Sequence, residues 1–346
     1  MELSDRKKQI LKAIIGDYIR TAEPVGSKTI AQRPGITFSP ATIRNEMSEL
    51  EELGYLEKPH TSAGRIPSPL GYRLYVDELM APTSEPEPGD DAGLRQMMQL
   101  KVRELDKLIQ EAGKLIANLT EYTAVAATPV MQRTSLKQFE IIAVNQNMFV
   151  IVVVTESGAV KNKMVHTAAP VSKDEAELLT YVLNQTLTGI PLSSITTERF
   201  DIVRRAAGLT ALLAPVAEYI AELIEETGRQ EVYLEGAGKL LRYPEYRDTQ
   251  KAQAVLDYLG SDRSHLIPVG GETDGVQIMI GPENGENPLS DASMIYARYS
   301  IGDFGQGVIG IVGPTRMDYA RLSARLSRFA KGLNKLIAET FLEEHP

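Results

Sequence analysis

Cysteine is absent and histidine scarce in this chain of 346 residues, which holds four His in all. Zinc sites draw mainly on those two residue types, so no structural metal is expected. The longest apolar run, Met148 to Val154, falls far short of the roughly 20 residues that a membrane helix needs. No membrane association is expected. The opening MELSDRKKQI is charged and passes straight into helical periodicity, whereas a secretory signal needs an apolar core of about 7 to 15 residues. A cytoplasmic location follows, and the lack of cysteine is consistent with it. His166 and His265 stand away from any matching nucleophile arrangement, and no carboxylate pair is marked by its context. Catalysis has no visible seat, and no cofactor is expected.

A basic excess is also missing. The formal net charge is −9, which argues against a general nucleic-acid binder. The charge is uneven, however: residues 1–80 hold 11 Lys and Arg against 11 Asp and Glu, and the remainder holds 26 against 35. Contact with an anionic polymer is therefore best sought in the first quarter. At about 150 residues per domain, the length predicts two or three domains.

Ser4 is placed to cap a first helix in which Ile10, Leu11, Ile14, Ile15, Tyr18 and Ile19 recur at helical spacing, ending near Thr21. After EPVG, Ser27 is placed to cap a short second helix that RPG at 33–35 terminates. Ser39 followed by Pro40 opens a third. Residues 81–93, APTSEPEPGDDAG, read as a linker. A long helix is then predicted from Leu94 to Leu119, followed by a meander of three strands in LKQFEIIAV, NMFVIVVVT and AVKNKMVH. Residues 171–260 revert to helix, and strands return at GVQIMIG, SMIYARYSI and GVIGIVG before a closing helix from about Thr315 to Phe341. Strands, then helices, then strands suggest one α+β domain interrupted by a helical insertion.

Within the third helix Ile43, Met47, Leu50 and Leu53 share one stripe, expected to be buried. The opposite face presents Thr42, Arg44, Asn45 and Ser48. Arg can bond guanine through two hydrogen bonds, Asn can do the same with adenine, and hydroxyls can meet bases or phosphates, so this set suits a helix entering a major groove by its N-terminus. Ser39 and Thr42 add hydroxyls beside the exposed amides of the first turn. Tyr55 and Leu56 then read as an outgoing strand, TSAG as a loop tip and Arg65-Ile66 as a returning strand, which together make a winged helix. The tip offers His60, Thr61, Ser62 and Arg65 to phosphate or minor groove. Against this reading stand Glu46, Glu49, Glu51 and Glu52, which dilute the basic signal on the helix.

The segments ATIRNEMSELEELGYLEKPHTSAGRIPSPLGYRLYVD at 41–77 and VGSKTIA at 25–31 resemble the heat-inducible transcription repressors of bacteria, the HrcA family. So do IMIGPEN at 278–284, YARYS at 296–300 and GVIGIVGPTRMDYARL at 307–322. The resemblance implies a dimeric repressor of chaperone operons on an inverted-repeat DNA operator, with activity modulated by heat and a GroEL-type chaperonin. It implies a multidomain α+β fold: an N-terminal winged helix-turn-helix, a GAF-like antiparallel-sheet domain and a mainly helical dimerisation domain inserted in the latter. The expected limits are 1–80 for the winged helix and 81–93 for the linker, then 94–170 and 261–346 for the two parts of the GAF-like domain, with 171–260 as the insert. The family's recognition-helix residues fall on Ala41, Thr42, Ile43, Arg44 and Asn45, and its wing residues on Pro59, His60, Thr61, Ser62, Ala63, Gly64 and Arg65. Ser27 and Lys28, opening the second helix, join the expected DNA-contacting set. A regulator whose GAF-like pocket senses a small molecule, with DNA binding as output, is the alternative.

Gly305-Gln306-Gly307-Val308-Ile309-Gly310 fits a dinucleotide fingerprint, but the glycines should then lie between a strand and a helix start, and Val308 to Val312 is itself strand-like. Tight glycine turns beside a strand explain it. TRMD, Thr315 to Asp318, reads as a helix cap, with Arg316 either pairing with a carboxylate or lining a sensory pocket. GPENGEN at 281–287 reads as a polar turn between strands.

Overall fold

The computed structural model describes residues 3–60, 63–81, 105–129, 135–156, 160–208, 210–228, 230–261, 263–267, 275–300 and 305–342. The N-terminal unit opens with α1 (Asp5–Thr21), where the Ser4 hydroxyl accepts the Lys7 amide hydrogen as a cap and Ile10, Leu11, Ile14 and Ile15 are buried. In α2 (Ser27–Ala31) the cap position falls to Gly26; Ser27, expected there, is the first helical residue and is buried. α3 (Pro40–Glu52) has Ser39 as cap and Pro40 in its first turn, as expected. Leu53 departs from the expected stripe and is 40% exposed. The helix has ended before it, and Gly54 at φ +81° turns the chain away.

β1 (Leu56–Glu57) and β2 (Ile66–Pro67) pair antiparallel, and a bridge between Val25 and Arg65 adds a third edge to the ribbon. The chain then enters α4 (Pro69–Leu74) and a π-helical turn, Tyr75–Leu79. The linker expected from residue 81 and the helix expected from Leu94 lie outside the described residues up to α5 (Leu105–Thr120), except for Ala81.

Two sheets follow. One holds β3 (Thr123–Ala127), β7 (Val232–Glu235), β8 (Val276–Ile280), β9 (Ala292–Ser300) and β10 (Gln306–Pro314) in the order β7-β3-β10-β9-β8, every pair antiparallel. Its strands are apolar on both faces because both are covered. Ala124, Ala126, Ile295, Ala297, Ile309 and Ile311 pack toward α5 and toward α10 (Tyr319–Ile337), while Val125, Ala127, Met294, Tyr296, Val308 and Val312 pack toward α9 (Thr249–Gly260) and the 3-10 turns before it. This is the period-two alternation of a sheet buried on both sides. Gln306 to Gly310 lies within β10, as the strand reading of the glycine motif required.

The other sheet is the meander β4 (Leu136–Asn145), β5 (Met148–Thr155) and β6 (Val160–His166). It shares a separate core with α6 (Lys173–Leu187), α7 (Thr197–Ala207) and α8 (Leu213–Gly228), through Phe139, Phe149, Ile151, Leu179, Leu183, Val203, Val216 and Ile220. This differs from the expected division at 170/171 and 260/261. The meander does not join the five-stranded sheet but packs with the helices that follow it, and residues 232–260 pack with the five-stranded sheet instead of with the helices. Periodicity marks each element; only the pairing of β3 with β7 across more than a hundred residues marks where the chain leaves one sheet and returns.

The N-terminal unit is docked on the five-stranded sheet and shares one apolar core with it. Tyr72 of α4 meets Tyr319 edge to face, with ring centroids 5.7 Å apart. Arg316 takes the first of its two readings, pairing with Glu245, and it also donates to the Ile19 carbonyl at 3.3 Å near the end of α1. The cap of α10 is Asp318, which accepts from the Arg321 amide at 3.1 Å, not Thr315 as the TRMD reading had it. The polar turn expected at 281–287 is present, with the Asn284 amide donating to the carbonyls of Gly281, Leu289 and Ala292 at 2.9 to 3.2 Å.

Because the two sheets have separate cores, damage to one should stay local. Phe139, fully buried in the meander's core, is expected to cost about 3 to 5 kcal/mol when replaced by Ala. Hydrogen exchange should place the loss in residues 136–223 and leave β9 and β10 protected.

Candidate nucleic-acid interface

The site is built from α2, α3 and the ribbon. Burial of Ile43, Met47 and Leu50 against α1 fixes which side of α3 faces out. Ala41, Arg44 and Asn45 are exposed and Thr42 and Ser48 half-buried on that outer side. The Ser39 hydroxyl accepts the Thr42 amide hydrogen at 3.1 Å and lies 2.9 Å from the Thr42 hydroxyl. Such a cap is worth about 1 kcal/mol and leaves the first turn of α3 open to an anion. Lys28 is exposed on α2, but Ser27 is only 8% exposed, so the structure does not offer it to a ligand.

Asp17, buried on α1, takes ion pairs from Arg20 and Arg33, the latter from the turn between α2 and α3; its Oδ2 accepts from Arg33 Nε at 3.0 Å. One carboxylate thus ties that turn to the supporting helix. Sequence reading missed this contact, and no local signal marks it, since Arg33 and Asp17 lie on different elements.

Three of the four acidic residues of α3 are paired from within the domain. Glu46 is buried and paired with Arg6 and with Lys7, the latter at 3.0 Å. Glu49 pairs with the same Lys7 at 2.7 Å. The Lys7 ammonium is raised above its usual range, first by its hydrogen bond to Glu49 and then by that to Glu46. The Glu49 carboxyl is held below its usual range, chiefly by the Lys7 hydrogen bond. A lowered carboxylate stabilises the fold above its usual titration range and loses that contribution as pH falls through the lowered value. With Glu51 held by Arg65, three of the four glutamates that seemed to dilute the basic signal therefore do so less than a linear count suggests.

Arg65 departs from its expected role. Its Nη2 lies 2.6 Å from Glu51 Oε2, its side chain is 15% exposed, and its backbone exchanges two hydrogen bonds of 2.9 Å with Val25. It ties the wing to α3 and to the strand before α2. Gly64 permits that approach: a Cβ there would sit 2.4 Å from the Val25 carbonyl oxygen. His60 is exposed in the wing, as is Lys58 beside it. Thr61 and Ser62 lie outside the described residues. Among the described residues Lys28, Arg44 and Lys58 are basic, exposed and free of ion pairs.

Both halves of the chain match described families. Residues 2–76 match the "Winged helix-turn-helix transcription repressor, HrcA DNA-binding" family, and residues 106–322 match the "HrcA protein C terminal domain". The chain belongs to the HrcA family. It is 39% identical to the heat-inducible transcription repressor HrcA of Brevibacillus brevis over 98% of this chain and 99% of that one. It is 38% identical to the protein of the same name from Symbiobacterium thermophilum, over 96% and 98% of the two chains. A crystal structure of a hypothetical protein aligns over 98% of this chain and 100% of its own, with a TM-score of 0.64 at 23% identity, which shows a shared fold.

Turned inward, Arg65 is a structural residue. Arg65→Ala is expected to destabilise the N-terminal unit by about 1 to 2 kcal/mol, and Glu51→Ala by a similar amount. A double-mutant cycle in denaturant melts should show coupling between the two; full additivity would contradict the pairing.

Proposed function

We propose that this chain represses transcription by gripping an inverted-repeat DNA operator as a homodimer, each copy placing α3 in a major groove. One observation carries the reading: Arg44 and Asn45 stand exposed on the outer face at the start of α3 while three of its four glutamates, Glu46, Glu49 and Glu51, are paired with Arg6, Lys7 and Arg65. Arg44 and Asn45 read base edges; Ser39, Ala41, Thr42 and Ser48 meet backbone or bases around them; Lys28, Lys58, His60, Thr61 and Ser62 hold phosphate. The acidic remainder of the chain repels DNA elsewhere, which confines contact to this face.

We assign residues 1–80 to the winged helix and 81–93 to the linker. The GAF-like domain comprises 105–127 and 232–342, and 136–228 is the insert. The insert supports dimerisation through its outer sheet face, where Ile142, Val144, Val160 and Met164 are each at least half exposed. Apolar patches of this kind mark interaction surfaces. Linking two half-site contacts in one dimer makes the second nearly intramolecular. The small-molecule alternative has less support, since both faces of the five-stranded sheet are filled by side chains.

Heat enters through stability. A repressor within about 1 to 2 kcal/mol of losing its active fold changes its active fraction severalfold on mild heating, and a GroEL-type chaperonin that refolds it restores repression. Operator occupancy after a heat pulse is expected to recover faster with chaperonin and nucleotide than without; identical recovery would remove the chaperonin from the scheme.

Replacing Arg44 and Asn45 together with Ala should abolish discrimination between operator and scrambled DNA, each base contact being worth about 1 to 3 kcal/mol. Lys58→Ala should weaken binding to both DNAs alike and lower the salt slope by about one. Titrations across ionic strength read both effects, and undiminished operator preference in the Arg44, Asn45 variant would refute the assignment.

A further inference from the structure

Strand β8 is an edge of the five-stranded sheet, paired on one side with β9 in the register Ile278↔Ile295 and Ile280↔Ser293. In an antiparallel strand alternate residues point both backbone groups to the same side. Ile278 and Ile280 turn theirs outward, because the Ile278 carbonyl accepts from Arg73 Nη2 at 2.6 Å and the Ile280 amide donates to Glu283 Oε2 at 2.8 Å. These two side chains also bind each other, Arg73 Nε to Glu283 Oε1 at 2.8 Å and Nη2 to Oε2 at 2.6 Å. The ion pair thus supplies the one donor and one acceptor that a residue of a neighbouring parallel strand would supply. Half of it comes from α4 of the DNA-binding unit.

Two contacts hold α4 at that edge. Tyr72 packs against Tyr319, and Gly281, at φ +56°, leaves room for Pro69, whose Cγ would lie 3.3 Å from a Cβ there. The covered strand, Val276-Gln277-Ile278-Met279-Ile280, carries no charge and no proline. Uncharged, β-prone edges of this length are the ones proteins need to protect, because they template further strands.

We propose that the DNA-binding unit serves as the edge guard of the five-stranded sheet, and that its undocking opens β8 to strand pairing with a second copy of this chain. The Arg73–Glu283 pair is exchanged for backbone hydrogen bonds between copies, and the recognition helix is lost from its fixed position in the same event. A second copy is the fitting occupant because its own β8 is the same short, uncharged strand, and identical strands stack in register. Loss of the docked state and self-association are then one transition, set by the strength of the contact between α4 and the sheet edge. The inference needs only the docked winged helix and holds whichever sequence that helix reads.

The test uses the full chain without DNA, so its result is independent of operator binding. Below the first unfolding transition, Arg73→Ala is expected to associate severalfold faster than the parent chain by light scattering, and to lose hydrogen-exchange protection at Ile280. Adding Val276→Pro, which removes an outward amide at the first residue of the edge strand where proline is tolerated, should return the rate to that of the parent. An unchanged association rate in Arg73→Ala, or a fast rate that Val276→Pro leaves untouched, would overturn the proposal. Should Arg73→Ala fail to fold, Val276→Pro alone decides it: heat-induced association slower than in the parent supports the edge route, and equal association refutes it.

Discussion

Strand β10 is the constraint on which the molecule is assembled. It lies in the middle of the order β7-β3-β10-β9-β8, hydrogen-bonded along both edges and buried on both faces. Its glycines are part of that role. A Cβ at Gly310 would come within 2.9 Å of the Ile295 carbonyl and Tyr296, so the close pairing with β9 depends on the missing side chain. On one face of this strand α5 and α10 complete a core that runs without break into the winged helix; on the other, residues 232–260 complete a second. The chain leaves this sheet after β3 and returns at β7, the two strands beyond β10 on that side. The DNA-binding unit docks at β8, on the opposite edge. Both attachments are therefore made to one sheet, with β10 between them.

At the site, the deciding physics is charge neutralisation inside a small domain. A carboxylate as buried as Glu46 would cost several kcal/mol without partners, and α1 supplies two cations to it. Lys7 also reaches Glu49, and the wing supplies Arg65 to Glu51. Among the described residues Lys28, Arg44 and Lys58 remain exposed and without ion pairs, as do the acids Glu52 and Glu57. A domain whose count of charges is neutral thus leaves Lys28, Arg44 and Lys58 free for an anion, because Glu46, Glu49 and Glu51 are held by Arg6, Lys7 and Arg65.

Much of this was legible in the sequence, for identifiable reasons. Caps at Ser4 and Ser39, the proline after Ser39 and helical spacing give α1 and α3 directly, since those signals act within one turn. The meander β4 to β6 follows from alternation and short polar turns. The failures occur where the cause is tertiary. Leu53 fits the helical period but lies beyond a left-handed glycine turn. Arg65 looks like a wing-tip cation until Glu51, fourteen residues earlier, is brought against it. Where the chain leaves the five-stranded sheet and returns depends on β3 finding β7, and β7 itself, four residues in a segment of helical composition, gives too short a period to stand out.

The docked arrangement unites these points. On the proposed dimeric reading, α3 needs a fixed frame, because two half-sites one helical turn apart tolerate little rotation between the helices that read them. Here the frame is made twice, by Arg316 reaching the end of α1 and by Arg73 reaching the edge of the sheet. Both contacts end on backbone carbonyls, of Ile19 and Ile278, so each holds an arginine side chain against main chain and not against another mobile side chain. Both arginines are also anchored by carboxylates of the sheet domain, Glu245 and Glu283. Such contacts are strong in sum but are made between units with separate sequence segments, so they are expected to open before either unit melts. Under the proposed edge-guard scheme heat sensitivity needs no special sensor: the contact that positions α3 would supply it.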